Sequence, residues 1–419
     1  MVSTDRRTGA TTAARAATRT LGPGVVLAGL LLVAANLRAG ITTVGPVLEQ
    51  LRADLGLPSL TASALISLPL AAFALVSPVA PALARRLGLE RTLGAGLAGL
   101  AAGLVVRSLP GQPLLWLGTA LLGVAIAVLN VVLPALVKRD FPLRIGQITG
   151  TYSAVQSVFA AAAAGVAVPV ANATTAGWRL PLGMWAGLAI IALGVLAPQL
   201  RRPTVVPAAR DAVRHEPRQL ARSPWHTALG WQVTAYMALQ ATGYYVFITW
   251  LPSIEEAAGI SAATAGVHQL LLNGLGIAGS IACSALIPRL RDQRLLGVVA
   301  PLLFVVAVIG VLTAPAYGAI WTSLAGVGGG ASIVLALSFF GLRTTDHTQA
   351  AALSGMAQSV GYLVAAAGPI AVGALHDATG TWRPALLVIL VLEIVLAGVG
   401  YLAGRNRTIG QLRGSPARG

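Results

Sequence analysis

Long apolar stretches alternate with short polar ones along the whole chain, and the period of that alternation is the first thing the sequence gives away. Crossing about 30 Å of hydrocarbon as a helix takes roughly 20 residues. Twelve runs meet that length, near 24–48, 60–83, 92–109, 113–137, 145–170 and 180–200, then 225–251, 263–287, 295–314, 317–341, 350–374 and 383–404. The pattern predicts an all-helical membrane protein of twelve spans. The first run follows a basic tail with Arg6, Arg7, Arg15 and Arg19, an arrangement that looks like a secretory signal. A cleaved signal has a shorter apolar part, so the run is read as a retained helix.

The longest polar interval, residues 201–224, carries Pro203, Pro207, Pro217 and Pro224 among six arginines. It divides the spans into six and six. The predicted organisation is a tail over 1–23, a six-helix bundle over 24–200, a linker over 201–224, a second bundle over 225–404 and a tail over 405–419. Weak repetition supports a duplicated origin. Gly45-Pro46-Val47-Leu48-Glu49 closes span one as Leu251-Pro252-Ser253-Ile254-Glu255 closes span seven, and Gln156-Ser157-Val158 in span five recurs as Gln358-Ser359-Val360 in span eleven.

Composition agrees with this picture. Hydrophobic residues make up 56% of the 419 and charged residues 10%, with a mean hydropathy of +0.78. The net charge of +16 would point to nucleic acid in a soluble protein, but the basic residues lie between the apolar runs. With the N-terminus in the cytoplasm, 24 of the 29 fall on the cytoplasmic side, which predicts that both termini lie there. No basic domain interleaved with aromatics exists to hold nucleic acid. The expected surroundings are a lipid bilayer of the plasma (inner) membrane, a small-molecule substrate and a monomeric state. Scattered Ser, His and Asp residues make no catalytic group, and no Cys or His spacing suggests a metal or another cofactor. The single cysteine, Cys283, reads as a helix-packing residue, and the run Gly326, Gly328, Gly329, Gly330 in span ten as a surface for close helix contact.

One charge breaks the rule. Arg38 lies 14 residues after Gly24, about 21 Å along a helix. A central Arg costs about 3 kcal/mol on insertion scales, and the twelve Val, Leu and Ile residues from Val25 to Leu48 return roughly 0.3–0.6 kcal/mol each. The helix inserts, and the charge needs a reason. A guanidinium keeps its proton and offers a planar fork of donors, which suits a small anion or carboxylate; an Arg tied to carbonyls or one buried acid is the structural alternative. Other polar residues at span depth are Asn36, Thr42, Thr43, Asn130, Tyr152, Gln156, Gln240, Tyr244, Tyr245, Asn273, Gln358 and Tyr362. Tyr152 with Gln156, Gln240 with Tyr244 and Gln358 with Tyr362 each share a helix face at spacing four. Glu393 in span twelve is an acid at full membrane depth, readable as a proton carrier or as an interhelical hydrogen-bonding group.

Three segments carry a resemblance: Asn36-Leu37-Arg38-Ala39-Gly40-Ile41-Thr42-Thr43-Val44-Gly45-Pro46, Asn130-Val131-Val132-Leu133-Pro134-Ala135-Leu136-Val137-Lys138-Arg139-Asp140-Phe141-Pro142 and Met356-Ala357-Gln358-Ser359-Val360-Gly361-Tyr362. With the twelve spans, they make the chain similar to the cyanate and 2-nitroimidazole transporter family of the major facilitator superfamily. Two departures stand out. Arg85 occupies the usual Asp position of the superfamily's loop between helices two and three, which implies a latch built differently. Ala39 follows the Arg where the family commonly has Pro. The resemblance implies that helices one, four, seven and ten line a central path, which puts Arg38, Asn130 and Gln240 around it and Glu393 away from it. The expected function is secondary transport of a small polar or anionic solute by alternating access, in the direction of import. The expected solutes are a cyanate-like anion, a small organic acid or a nitroheterocycle. Arg38 would bind the anion, with Asn36, Thr42, Asn130, Gln240, Tyr244 and Gln358 as further binding residues. Proton-coupled efflux of drugs or metabolites on the same fold is the alternative, and it would favour a buried acid on a cavity helix.

Overall fold

A computed structural model describes residues 23–57, 59–200 and 223–410, so the expected tails and nearly all of the linker lie outside the described residues. Fifteen α-helices make up this part of the chain. Span one is α1 (Pro23–Thr42) continued by α2 (Val44–Leu55). The break falls at Thr43, where the hydroxyl donates to Ala39 O at 2.7 Å and Pro46 follows without an N–H. Span two is α3 (Ser59–Val76), followed after a 59° bend at Pro78 by α4 (Ala80–Leu87). Next come α5 (Leu89–Ser108), α6 (Gln112–Asp140) and α7 (Ile145–Asn172), and span six divides into α8 (Arg179–Gly183) and α9 (Ala186–Leu200). The second set is unbroken: α10 (Ala228–Ala257), α11 (Ala262–Leu286), α12 (Arg294–Thr313), α13 (Gly318–Leu342), α14 (His347–Thr379) and α15 (Arg383–Ala403).

Ten described helices are long and apolar enough to cross a membrane, and the bent pair around Pro78 makes eleven. The 30-residue α10 lies outside that set. It carries Gln240, Tyr244, Tyr245, Glu255 and Glu256, which lower its mean hydropathy. Polar caps start several helices. Thr227 accepts from Gly230 N at 3.1 Å, Ser261 from Thr264 N at 3.2 Å and Asp346 from Gln349 N at 2.9 Å.

Small residues let the helices approach closely, since lipid supplies no hydrophobic force between them. The glycines of span ten have this use: a Cβ on Gly330 would lie 1.9 Å from Gly276 O, one on Gly326 2.4 Å from Leu272 O, and one on Gly328 2.6 Å from Ala300 O. They seat α13 directly on the backbones of α11 and α12. Arg85, in place of the superfamily's Asp, makes no hydrogen bond or ion pair to described residues. The acid of this loop is Glu90, whose Oε1 lies 2.5 Å from Arg139 Nη1, while Asp140 takes Nε and Nη2 of the same guanidinium at 2.7 and 3.0 Å. The cluster ties α5 to the end of α6, within the first six spans.

The two sets of six meet along one seam, from mid-depth to the end that carries the basic loops. Ser284 Oγ donates to Gly146 O at 2.8 Å, and a Cβ on Gly150 would lie 2.1 Å from Ser284 Cβ. Ser359 Oγ donates to Ala74 O at 2.7 Å, and Gln358 Nε2 to Asn130 O at 3.2 Å. At the opposite end α2 packs chiefly on α1, α3 and α7, all of its own set.

Candidate functional site

Between the two sets lies a cavity of about 190 Å³, lined from α1, α3, α6, α7, α10, α11, α13 and α14. Helix α1 contributes Leu37, Arg38, Ile41 and Thr42. That selection follows from 3.6 residues per turn: positions 37, 38, 41 and 42 share a face, and position 36 points away.

Arg38 is half-buried and reaches into the cavity. Among the described residues its guanidinium forms no ion pair and no hydrogen bond, and the phenols of Tyr244, Tyr245 and Tyr362 are its neighbours. The alternative of an Arg tied to a neighbouring carbonyl or acid therefore has no partner among the described residues. Other donors in the cavity are also uncommitted. The side-chain amides of Asn130 and Gln156 and the hydroxyls of Tyr245 and Tyr362 make no hydrogen bond to described residues. Ser153 Oγ is buried without a partner. Polar groups removed from water are normally satisfied; several left open around one cation make a site that a solute can complete. Among the described residues no carboxylate lines the cavity.

Three of the expected binding residues lie on the wall: Arg38, Thr42 and Asn130. The Thr42 hydroxyl is already committed, lying 3.1 Å from both Arg38 O and Ala160 O. The other four lie off the wall. Asn36 is 2% exposed and donates to Leu32 O at 2.8 Å and Leu188 O at 3.4 Å, because two residues before Arg38 is about 200° around the helix. Gln240 folds back on its own helix, to Met237 O at 3.2 Å and Met237 Sδ at 3.3 Å. Tyr244 donates to Asn273 Oδ1 at 3.0 Å, which leaves its neighbour Tyr245 facing the cavity. Gln358 bridges Ser354 Oγ at 2.7 Å and Asn130 O, and so holds the cavity helix α6 from the other set. Glu393 is 2% exposed and also off the wall, with Oε1 packed against Gly243 of α10.

Residues that the site does use include both members of the pair Tyr152 and Gln156, and Tyr362 from the pair with Gln358. Phe73, Ser153, Ser157 and Ser280 were not singled out from the sequence. Ser and Phe are ordinary residues of a span, so nothing in their type marked them; the one local clue is Ser157, next to Gln156 in the repeated Gln-Ser-Val. A second buried group sits apart, at the α10 end: Glu255 Oε1 and His268 Nδ1 are 2.8 Å apart, against Gly318.

The family model of the Major Facilitator Superfamily matches residues 30–365. The 2-nitroimidazole transporter of Escherichia coli (strain K12) is 40% identical over 385 residues, covering 92% of this chain and 96% of that one. The cyanate transport protein CynX of the same organism is 28% identical over 362 residues, 84% and 90% of the two chains. Among solved structures, the superfamily transporter FucP in the outward conformation superposes with a TM-score of 0.70 at 12% identity, covering 91% of this chain and 99% of its own. Ten to eleven apolar spans among the described residues, a central cavity with polar groups, a superfamily match over most of the length and these relatives identify the chain as a multi-pass membrane transporter of the major facilitator superfamily, in the cyanate and 2-nitroimidazole transporter family.

Proposed function

We propose that this transporter moves a small anionic or strongly polar solute by alternating access, with Arg38 as the group that holds it. The observation that carries this reading is the unpartnered guanidinium in a cavity without carboxylates. An unpaired charge away from bulk water is costly, and an anion drawn into the cavity offsets that cost through charge-assisted hydrogen bonds. Asn130, Gln156, Tyr245 and Tyr362 supply further donors and acceptors around the solute. The names of the relatives support a solute of this size and polarity, a nitroheterocycle in one and cyanate in the other. Proton-driven drug efflux has less support, because no acid sits among the lining residues.

The two sets of six, 24–200 and 225–404, are the bodies expected to rock, with the seam of Gly150, Ser284 and Ser359 parting as the opposite end closes. The end with the basic loops faces the cytoplasm in this reading, by the positive-inside rule. Flux into proteoliposomes tests the function. Counterflow of small anions such as cyanate, benzoate and acetate, absent for neutral analogues of the same size, is expected. Protein that inserts and folds yet carries none of these anions overturns the reading.

A further inference from the structure

The start of α12 and the end of α15 build a second cationic feature, on the outside of the second set and away from the cavity. The two backbones touch there: a Cβ on Gly297 would lie 2.5 Å from Gly400 O. Gln293 N donates to Gly404 O at 2.9 Å. The buried Arg343 of α13 adds two ties, from Nε to Ala403 O at 2.7 Å and from Nη2 to Gly404 O at 3.0 Å. On this fixed base stands Tyr401, 45% exposed, with the guanidinium carbons of Arg294 and Arg405 at 5.3 and 5.8 Å from its ring centroid. Both distances are within cation–π range. One ring therefore holds two cations without using their N–H groups. Asp292 Oδ2 lies 3.1 Å from Nε of Arg294, while the side chain of Arg405 makes no ion pair or hydrogen bond to described residues.

Arg289, Arg291 and Arg407 are exposed at the same helix ends. With Arg294 and Arg405 they make five cations about one acid, Asp292. Further along, the two helices turn apolar side chains outward: Leu295, Val299 and Leu302 on α12, at spacings of four and three, and Val391, Ile394 and Val395 on α15. In a membrane-spanning chain that face lies against acyl chains, and the arginines at its end lie at the depth of the headgroups. A phosphodiester between the two guanidiniums takes their free N–H edges in charge-assisted hydrogen bonds, and its acyl chains follow the apolar face. Free phosphate would fill only the first half of this surface. A zwitterionic headgroup would bring its own ammonium to a place already rich in positive charge. We propose that the face shared by α12 and α15 is a binding site for an anionic glycerophospholipid, clamped by Arg294 and Arg405 on either side of Tyr401. The site is separate from the Arg38 cavity and does not depend on which solute that cavity takes.

A fluorophore on Leu295→Cys in a Cys283→Ser background reports which lipid lies against this face once the full-length protein is reconstituted into mixed bilayers. Quenching by phosphatidylglycerol with brominated chains, divided by quenching by phosphatidylcholine with the same chains, gives the local preference. It is expected to be at least about fivefold at Leu295. At Ile309→Cys, 44% exposed on the same stripe at the far end of α12, it is expected to stay near one. Millimolar glycerol phosphate should leave both ratios unchanged. Arg294→Gln combined with Arg405→Gln should bring the ratio at Leu295 below about twofold. Tyr401→Leu keeps every charge and removes the ring that aligns them, so it should lower the ratio at least about twofold, and it carries the test alone should the double variant fail to fold. Equal ratios at Leu295 and Ile309, or a ratio at Leu295 unmoved in the folded double variant, overturn the site. A ratio unmoved in folded Tyr401→Leu would mean diffuse surface charge and overturn the clamp. Displacement by glycerol phosphate would make this a site for free phosphate and overturn the lipid as its occupant.

Discussion

Arg38 and Asn36 stand two positions apart and do different work, and helix geometry is the reason. The face of α1 that carries Arg38, Ile41 and Thr42 looks into the cavity, and the face with Asn36 looks at the backbone of α9. Loss of a charge-assisted hydrogen bond costs about 1.5–3 kcal/mol, so Arg38→Ala should lower anion uptake at least about tenfold. Arg38→Lys should lose uptake as well, because a point charge cannot replace the planar fork, while both variants still reach the membrane in normal amount on a blot. Asn36→Ala should keep solute affinity within about twofold and instead lower the melting temperature through its lost bonds, at a cost of about 1 kcal/mol. A residue type at span depth was legible from the sequence, and so was Arg38 itself, as the basic residue deepest inside a run. Which side of its helix each polar residue uses was legible only relative to a known cavity face. That is why Tyr152 and Gln156 came out as a pair, while Gln240 and Tyr244 turned to partners on their own or the next helix.

Helix pairs set the second scale. The seam between α7 and α11 works because Gly150 leaves room for Ser284. Gly150→Leu would place atoms where Ser284 Cβ already lies, so the two helices should stay apart and transport should stop. Ile287→Cys in a Cys283→Ser background reads this out. Ile287 is 4% exposed against Gly146, so a maleimide should label it slowly in otherwise native protein and quickly with Gly150→Leu added; equal rates would mean the seam is not held by this contact. Glu393 belongs to packing of α15 on α10. Glu393→Gln should retain uptake with an unchanged pH profile, and a flattened profile would instead make it a proton carrier. Span limits were legible within a few residues because apolar length is set by the bilayer: the run marked 383–404 is the helix Arg383–Ala403. The breaks at Thr43, at Pro78 and at Met184–Trp185 were not, since Gly and Pro also sit inside unbroken spans, as Pro134 does in α6.

Across the whole molecule, the proposed cycle takes the closed seam and the cavity above it as one of two poses. From sequence, the charge pattern leads to an expected orientation and the internal repeats to an expected duplicated bundle. The contacts that hold one end shut come from serines and glycines whose meaning depends on a partner two hundred residues away, and no local pattern encodes that. Cysteines placed at Ala74 and Ser359, where a hydroxyl now reaches a carbonyl at 2.7 Å, should crosslink with a short bismaleimide and arrest flux. Full flux through quantitatively crosslinked protein would rule out parting of this seam during the cycle.

The central claim is that an unpaired guanidinium holds the solute, and direct binding tests it most simply. Purified wild-type, Arg38→Ala and Asn36→Ala proteins titrated with radiolabelled benzoate at equal folded fraction give the answer. Binding by wild type and Asn36→Ala with loss of at least about tenfold in Arg38→Ala is predicted; undiminished binding by Arg38→Ala would contradict it.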